Sequence, residues 1–362
     1  MSEIRFLNSL QWQEVTALTW DKEGKASEQK GSVVSFDDKA YESLSFSDGE
    51  TKTSKLFPGK LALTMDYKKI PSYETPLTFF HAEGKTGYVD TYVLRDEKNL
   101  AYRKGSKKIN VFVPEGYDGS KPYGLLYCFD AQNLFSHAGD YTKDGDPYGS
   151  WQLDVVLQEL KRQYGKEILV VAIDNADLYR MAELLPDLTS YGGISELARR
   201  ESEDVEIKPH LDELADFMKY TVHPLILEKY AIDEKEIGIC GASMGGIASL
   251  YCALRDLGSY HYVLSYSPAY GLYEAEAFDN WFKTLPLAAQ KEKQPKLHIY
   301  CGQGDPLDRS LMELACRMKA LLVENGYDGA KIFESYDADK KHNEESWRLI
   351  LPESFTKLFD LK

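Results

Sequence analysis

The chain has 362 residues, 43% of them hydrophobic, which suits one large domain with a sizeable core and a small accessory domain. Its 58 acidic and 43 basic residues give a formal net charge of -15. A nucleic-acid-binding protein needs a basic face that displaces counterions from phosphates, so this balance argues against nucleic acid as a partner.

The N-terminal sequence and the spacing of the cysteines bear on the cellular compartment of the protein. The N-terminal sequence M-S-E-I-R-F-L-N-S-L-Q-W lacks the apolar run of a secretory signal, and no stretch of about 18 apolar residues could span a membrane. The five cysteines form no C-x-x-C pair or zinc-spaced cluster. We therefore expect a cytoplasmic protein with reduced cysteines, no membrane partner, no metal and no cofactor.

The first part of the chain has the residue pattern of a small β-rich module. Short runs rich in Val, Thr, Phe and Tyr alternate with polar clusters, which is typical of antiparallel strands. We assign residues 1–84 to this accessory module and 85–362 to a second domain. The runs cover residues 14–20, 31–36, 41–46 and 60–67.

From about residue 85 onward, apolar strands alternate with amphipathic helices. This alternation predicts an α/β fold with a mostly parallel sheet covered on both faces, in which the chemistry lies at the carboxyl ends of the strands. The predicted strands are 107–114, 123–130, 168–174, 236–241, 262–267, 296–302 and 331–336, and the predicted helices are 151–162, 214–230, 247–255, 311–326 and 344–359.

A glycine-rich turn after strand 236–241 contains the candidate nucleophile. The sequence G-A-S-M-G-G begins at Gly241 and leads into a helix, which is the context of a nucleophile elbow. Only small residues fit two positions before and after Ser243, and Gly241 and Gly245 meet that need. Ser243 is therefore the expected nucleophile of an α/β-hydrolase.

The acid and the base should follow the serine in that order. Asp305 comes shortly after strand 296–302, so we expect it to be the acid. Asp308 is the alternative, and its structural role would be a helix N-cap. His342 is the only histidine beyond Asp305 and lies in the loop before the last helix, where it would act as general base.

The developing oxyanion needs preorganised N–H donors. One donor should be the backbone N–H of Met244, and the second should come from the loop after strand 123–130, near Ala131 and Gln132. Of the other histidines, His137 follows a strand end and could line a pocket. The rest fit structural positions.

The ordered set of motifs resembles the putative-esterase family of α/β-hydrolases over about residues 85–360. That family includes enterochelin esterases, feruloyl esterases, S-formylglutathione hydrolases and antigen 85 mycolyltransferases. Besides G-A-S-M-G-G, the resemblance lies in V-F-V-P-E-G-Y-D (111–118), L-L-Y-C-F-D-A-Q-N-L-F (125–135), W-Q-L-D (151–154), V-V-A-I-D-N (170–175), Y-S-P-A-Y (266–270), G-Q-G-D (302–305) and H-N-E-E-S-W (342–347).

The resemblance implies roles for further residues. Asp130 and Ala131 stand where relatives often carry Asp-Gly at the oxyanion loop. Trp151 and Trp347 match aromatic positions near the active-site mouth. Arg180 and Glu183 match an R-x-x-E element, for which a structural ion pair is the plainer explanation.

The chain also departs from the family pattern. Lys340 and Lys341 replace the Gly-Gly that often precedes the histidine in relatives. Residues 187–212 form a charged insertion that could act as a partial lid. The first 80 residues do not visibly match the larger N-terminal domain of enterochelin esterases.

The leading functional hypothesis is a carboxylic ester hydrolase acting on a small-molecule ester. Tyrosines, phenylalanines and a tryptophan in segment 266–282 could shape a pocket for an aromatic acid, or could simply pack in the core. One alternative is an acyltransferase that uses the same site. Another is a non-catalytic glycan-binding protein on a hydrolase scaffold.

Overall fold

The computed structural model describes most of the chain from residue 86 onward and parts of the N-terminal region. The described residues are 2–6, 16–36 except 22 and 32, 43–47, 78–83, 86–135 except 104, 150–198 except 177, 178 and 197, and 208–361.

Two sheets contain all the strands of the described residues. In chain order the strands are β1 Ser2–Phe6, β2 Thr16–Trp20, β3 Ala26–Lys30, β4 Val33–Phe36, β5 Ser43–Ser47, β6 Thr78–Glu83, β7 Gly87–Arg95, β8 Ser106–Pro114, β9 Tyr123–Phe129, β10 Ile168–Ile173, β11 Ile232–Ala242, β12 Tyr262–Tyr266, β13 Lys296–Gly302 and β14 Ile332–Asp337. Eleven of them form a central sheet in the order β14-β13-β12-β11-β9-β10-β8-β7-β6-β1-β4.

The central sheet has a parallel half and an antiparallel half. Strands β14, β13, β12, β11, β9 and β10 pair in parallel, whereas β8, β7, β6, β1 and β4 continue the sheet by antiparallel pairing. The inner parallel strands β9, β10 and β12 are buried along their whole length because helices cover both faces of the sheet, whereas β14 at the edge is only partly buried. The predicted α/β-hydrolase fold, with a β-rich N-terminal part, is confirmed.

Helices connect the strands of the parallel half. They are α1 Leu153–Tyr164, α2 Arg180–Leu184, α3 Leu211–Phe217, α4 His223–Lys229, α5 Met244–Arg255, α6 Ala277–Phe282, α7 Pro306–Glu324 and α8 Glu344–Phe359. Helices α1 and α8 pack on one face of the sheet, and α3 to α7 contribute to the hydrophobic core on the other face.

One predicted helix, 214–230, is broken in the middle. A π-helical turn, Met218–Val222, separates α3 from α4, and Pro224 is the second residue of α4. Proline has no N–H and its ring collides with the preceding turn, so the widened turn lets the chain continue without a regular hydrogen bond at this point.

The N-terminal strands divide between the two sheets. Strands β1, β4 and β6 extend the central sheet, whereas β2, β3 and β5 form a separate antiparallel sheet. The predicted runs 14–20, 31–36 and 41–46 correspond to β2, β4 and β5, and run 60–67 lies outside the described residues. β6 pairs with β7 across the predicted boundary between residues 84 and 85, and that boundary stays a prediction.

In the part of the chain that the structure describes, none of the helices combines the length and the apolar character needed to cross a bilayer.

Candidate active site

Ser243 occupies a strained turn between the end of β11 and the start of α5. Its backbone has φ 56° and ψ -119°, a combination that residues with a side chain rarely adopt. A Cβ on Gly241 would overlap the carbonyl oxygen of Gly245, so the turn requires glycine there. The local geometry is that of a nucleophile elbow, with the serine at the carboxyl end of a parallel strand.

The turn after β12 holds this elbow from the neighbouring strand. The Ser243 N–H donates to the Tyr266 carbonyl at 2.8 Å, and the Ala269 N–H donates to the Ser243 carbonyl at 3.1 Å. Both backbone groups of Ser243 are therefore held by hydrogen bonds from an adjacent turn. These bonds stabilise the strained backbone conformation of the serine.

The imidazole of His342 contacts Asp308, the alternative acid. His342 Nδ1 lies 2.8 Å from Asp308 Oδ1, and the Asp308 side chain is fully buried. Asp308 lies in the first turn of α7, where the helix dipole favours a carboxylate. The structure therefore brings together His342 and Asp308, not His342 and Asp305, around the ring.

Asp305 has the role that the sequence assigned to Asp308. It is the N-cap of α7, with Oδ1 accepting the Asp308 N–H at 2.8 Å and Oδ2 accepting the His342 backbone N–H at 2.9 Å. Burial opposes ionisation, but these N–H groups outweigh it and hold the pKa of Asp305 below its usual range. Asp305 thus supports the loop that carries His342.

Ser243 and His342 line one cavity of about 350 Å³ at the carboxyl ends of the strands. Within the described residues, no hydrogen bond joins the two side chains; such catalytic contacts commonly tighten only when substrate binds. The other lining residues are Phe129, Asp130, Gln132, Asn133, Trp151, Asn175, Arg180, Ala242, Glu344 and Trp347.

The two predicted tryptophans form an apolar wall beside His342. The ring centroids of Trp347 and His342 lie 5.1 Å apart in an edge-to-face arrangement, and Trp151 lies 5.5 Å from Trp347. The Trp347 indole N–H donates to Ser267 Oγ at 3.2 Å. Ser267 is fully buried and has φ 39°, so a strained residue anchors the ring that packs on His342.

Two backbone segments supply candidate oxyanion donors. Among the described residues, the N–H groups of Met244, Ala131 and Gln132 have no acceptor. Met244 starts α5, where N–H groups point out of the helix toward an anion. Asp130 adopts a left-handed conformation with φ 59°, which turns the chain just before Ala131.

Arg180 and Glu183 have different partners. Arg180 Nε and Nη2 donate to the two carboxylate oxygens of Asp130 at 2.6 and 2.8 Å. Although burial raises it, the arginine holds the pKa of Asp130 below its usual range. Glu183 instead forms a buried ion pair with Lys107 at 2.7 Å. Arg180 therefore holds the loop after β9 and lines the cavity, whereas Glu183 is part of the interior.

Some wall residues were not predicted, and some predictions fall elsewhere. Asn133, Asn175 and Glu344 line the cavity, and each lies within a few residues of a predicted strand end or of His342, which is the signal that could have identified them. The aromatic residues Tyr270, Tyr273, Phe278, Trp281 and Phe282 pack in the core and do not line the cavity.

Two predictions concern residues outside the described part of the chain. His137 lies outside the described residues, as do residues 197 and 199–207 of the proposed lid. Over the described ranges, no three His, Cys, Asp or Glu side chains cluster in a way that could hold a metal ion.

Comparisons with known proteins agree with the fold. A family model described as Putative esterase matches residues 102–358. Similar solved structures include the enterobactin esterase FES from Shigella flexneri, with TM-score 0.51 and 16% identity, covering 77% of this chain and 60% of that one. This chain thus spans about 60% of the length of that esterase.

Two siderophore hydrolases from Aspergillus nidulans are also similar in structure. EstA has TM-score 0.53 and 16% identity, covering 73% of this chain and 94% of that one. EstB has TM-score 0.52 and 19% identity, covering 75% of this chain and 96% of that one. No curated protein sequence matches this chain. At such low identities the structural matches show a shared fold.

Proposed function

Because this chain belongs to the Putative esterase family and is a serine ester hydrolase, we propose that Ser243, His342 and Asp308 form its catalytic triad. The observation that carries the assignment of the acid is the 2.8 Å contact between His342 Nδ1 and Asp308 Oδ1. Asp305 is then a positioning residue, which acts on His342 through its backbone N–H.

The proposed reaction is acyl transfer through a covalent intermediate. His342 Nε2 removes the Ser243 hydroxyl proton as the oxygen attacks the ester carbonyl carbon. The tetrahedral intermediate collapses, the C–O bond to the leaving alcohol breaks, and the imidazolium returns the proton to that alcohol. Water, activated by the same imidazole, then releases the acid and regenerates the Ser243 hydroxyl.

Asp308 has two functions in this proposal. Its carboxylate accepts the Nδ1–H, so it selects the tautomer with a free Nε2 lone pair, and it stabilises the imidazolium that forms during attack. A buried carboxylate does both better than an exposed one, because water screens its charge less.

The oxyanion site is proposed at the N–H groups of Met244 and of Ala131 or Gln132. The two donor segments belong to different elements, so their separation depends on how firmly the loop after β9 is held. The forked Arg180–Asp130 pair and the 3.2 Å bond from Asn175 to Asp130 support that loop. Preorganised donors of this kind are worth about 3 kcal/mol each.

The proposed substrate is an ester with an aromatic acid, of the feruloyl or catecholate type. The support is the combination of Phe129, Trp151 and Trp347 with polar side chains in a single cavity. The fold similarity to an enterobactin esterase whose structure was solved in the presence of 2,3-dihydroxy-N-benzoyl-glycine favours the catecholate type.

An ester screen with the Ser243→Ala variant tests the proposal. We expect turnover of p-nitrophenyl esters, feruloyl sugars or triscatecholate lactones by the wild type and none by the variant. A fluorophosphonate probe should label Ser243 in the wild type. Turnover that survives Ser243→Ala would reassign the nucleophile, and ester products formed with added glycerol would favour acyl transfer over hydrolysis.

A further inference from the structure

A second cavity of about 280 Å³ lies away from the catalytic residues, and it shares no lining residue with the Ser243 cavity. It is built from β9, the first half of β11, the π-helical turn Met218–Val222, the end of α5 and the loop before β12. π-helical turns inside α-helices are frequent at functional sites. Its lining residues include Tyr127, Met218, His223, Glu234, Cys252 and Tyr260.

The inner wall of this cavity is aromatic and apolar. Tyr127 is 2% exposed, and its ring meets that of Tyr260 edge-to-face at a centroid distance of 6.2 Å. Met218, Ile237 and Cys252 complete the apolar surface. A wall of this kind favours a ligand with an apolar or aromatic body, and ring faces also attract organic cations.

The imidazole of His223 is a neutral polar group in this wall. Its Nδ1 lies 2.9 Å from the Tyr127 hydroxyl, whereas its Nε2 has no partner within the described residues. Burial lowers the pKa of His223, which keeps the ring uncharged at neutral pH, although the nearby Glu234 carboxylate acts in the opposite direction. A neutral ring does not repel a cation.

The charged side chains around the cavity leave an excess of negative charge. Lys219 is paired with Asp256 at 2.6 Å. Arg255 is held by two carboxylates, Asp212 at 2.9 Å and Asp216 at 2.8 Å. Both cations are thus already balanced. The exposed Glu234 carboxylate has no hydrogen bond or ion pair in the described part of the chain, although its residue lines the cavity.

We propose that this cavity binds a small organic cation, a primary ammonium group on an aromatic or apolar body. The ammonium pairs with Glu234 and donates to His223 Nε2, and the body packs against Tyr127 and Tyr260. A metal ion is not favoured, because no cluster of three ligating side chains occurs among the described residues. The site is additional to the proposed esterase function and does not depend on it.

Calorimetric titration with three ligands of one shape tests this proposal. The probes are benzylamine, benzyl alcohol and benzoate, which present a cation, a neutral group and an anion on the same ring. We expect measurable binding of benzylamine, at least fivefold weaker binding of benzyl alcohol, and no binding of benzoate. Equal affinity for the amine and the alcohol would refute the proposed role of charge.

Two variants locate the site. Glu234→Gln should weaken benzylamine binding at least fivefold, whereas Glu228→Gln, the same change at an exposed position of α4 outside the cavity, should leave it unchanged. Enzyme whose Ser243 has reacted with a fluorophosphonate should bind benzylamine as before. Unaltered binding by Glu234→Gln, or loss of binding after the fluorophosphonate reaction, would overturn the assignment.

Discussion

The nucleophile and the base of the proposed triad are positioned in different ways. The Ser243 elbow lies within six consecutive residues, Gly241 to Gly246, between a buried strand and its helix. The base depends on a contact between side chains 34 residues apart, His342 and Asp308. A tight turn restricts which residues can occupy it, so it leaves a readable pattern. A long-range contact leaves none, and the sequence alone could not decide between Asp305 and Asp308.

The largest expected effect comes from separating these two aspartates. Asp308→Asn should lower kcat about 10⁴-fold, because an amide can donate to Nδ1 and so favour the wrong imidazole tautomer, as in serine proteases. Asp305→Asn keeps one acceptor oxygen for the start of α7 and should cost less than about tenfold. Steady-state kinetics on a p-nitrophenyl ester provide the measurement. A larger loss for Asp305→Asn would restore it as the acid.

The exchange of roles that we propose between Asp305 and Asp308 depends on where one helix begins. The apolar periodicity placed the start of the helix at residue 311, whereas α7 begins at Pro306. Moving the start back makes Asp305 the N-cap and puts Asp308 in the first turn, beside the base. Proline at the first helical position was the available signal, because its fixed φ suits that place.

Strands and helices could be predicted where their own residues carry a clear apolar run or an amphipathic repeat. Strand Lys296–Gly302 and helix Glu344–Phe359 match the predicted bounds because each is a clean apolar run or an amphipathic repeat. Strand β3, Ala26–Lys30, has a mostly exposed, polar sequence without alternation and was missed. The partners of Arg180 and Glu183 depend on how distant strands approach α2, which no sequence pattern encodes.

Two glycines allow the geometry around Ser243 and the geometry around His342 to be disturbed separately. Gly241 lies in the Ser243 turn, and Gly302 lies against Asp308 and the loop that carries His342. A Cβ on Gly302 would overlap the Lys340 carbonyl oxygen and come within 2.6 Å of Asp308 Oδ2, and one on Gly241 would overlap the elbow backbone. Displacing catalytic groups by about 1 Å can cost about 100-fold in rate. We therefore expect Gly302→Ala and Gly241→Ala each to lose at least that much kcat/KM.

Gly329→Ala is the matched control, since its nearest neighbour would be a Val323 methyl at an ordinary 3.7 Å. It should keep kcat/KM within twofold, and circular dichroism should report a native fold for each variant that is compared. A Gly302→Ala enzyme with wild-type kinetics would show that the Asp308 contact does not limit the base.

A buried histidine, His298, lies on β13, the strand that precedes the proposed acid Asp308. His298 on β13 is fully buried between Ser354 of α8, 2.6 Å from Nδ1, and Ser335 of β14, 2.9 Å from Nε2. Burial, assisted by the Lys357 charge, lowers its pKa from 6.5 to about 4. The unfolded chain therefore binds a proton between these pH values that the folded chain does not.

Folding stability should fall as pH decreases from 6.5 to 4, by up to about 3 kcal/mol from this group, and should not change above pH 6.5 on its account. Urea unfolding at several pH values, compared with His298→Gln, isolates the contribution. The variant should show a flatter pH dependence in that window. Exposed His261, changed to Gln, is the control, and an unchanged slope for His298→Gln would contradict the prediction.

The smallest expected effect concerns the hydrogen bond between Trp347 and Ser267, which connects the Ser243 turn with the ring that packs on His342. The turn that fixes the Ser243 backbone also carries Ser267, whose hydroxyl accepts from the indole N–H of Trp347, and Trp347 packs on His342. Trp347→Phe keeps an aromatic ring but removes that N–H, so His342 should lose orientation. We expect kcat to fall up to about tenfold, with KM little changed.

Ser267→Ala should reproduce this loss, and the double variant should be no worse than either single one, because both changes remove one hydrogen bond. Trp281→Phe is the control, since Trp281 packs in the core outside this cavity and no hydrogen bond of its indole occurs within the described residues. A purely structural contact would lower thermal stability without changing kcat or the pH dependence of kcat/KM. Additive losses in the double variant would mean that Ser267 and Trp347 act separately, and that the two sides of the site are not joined through this bond.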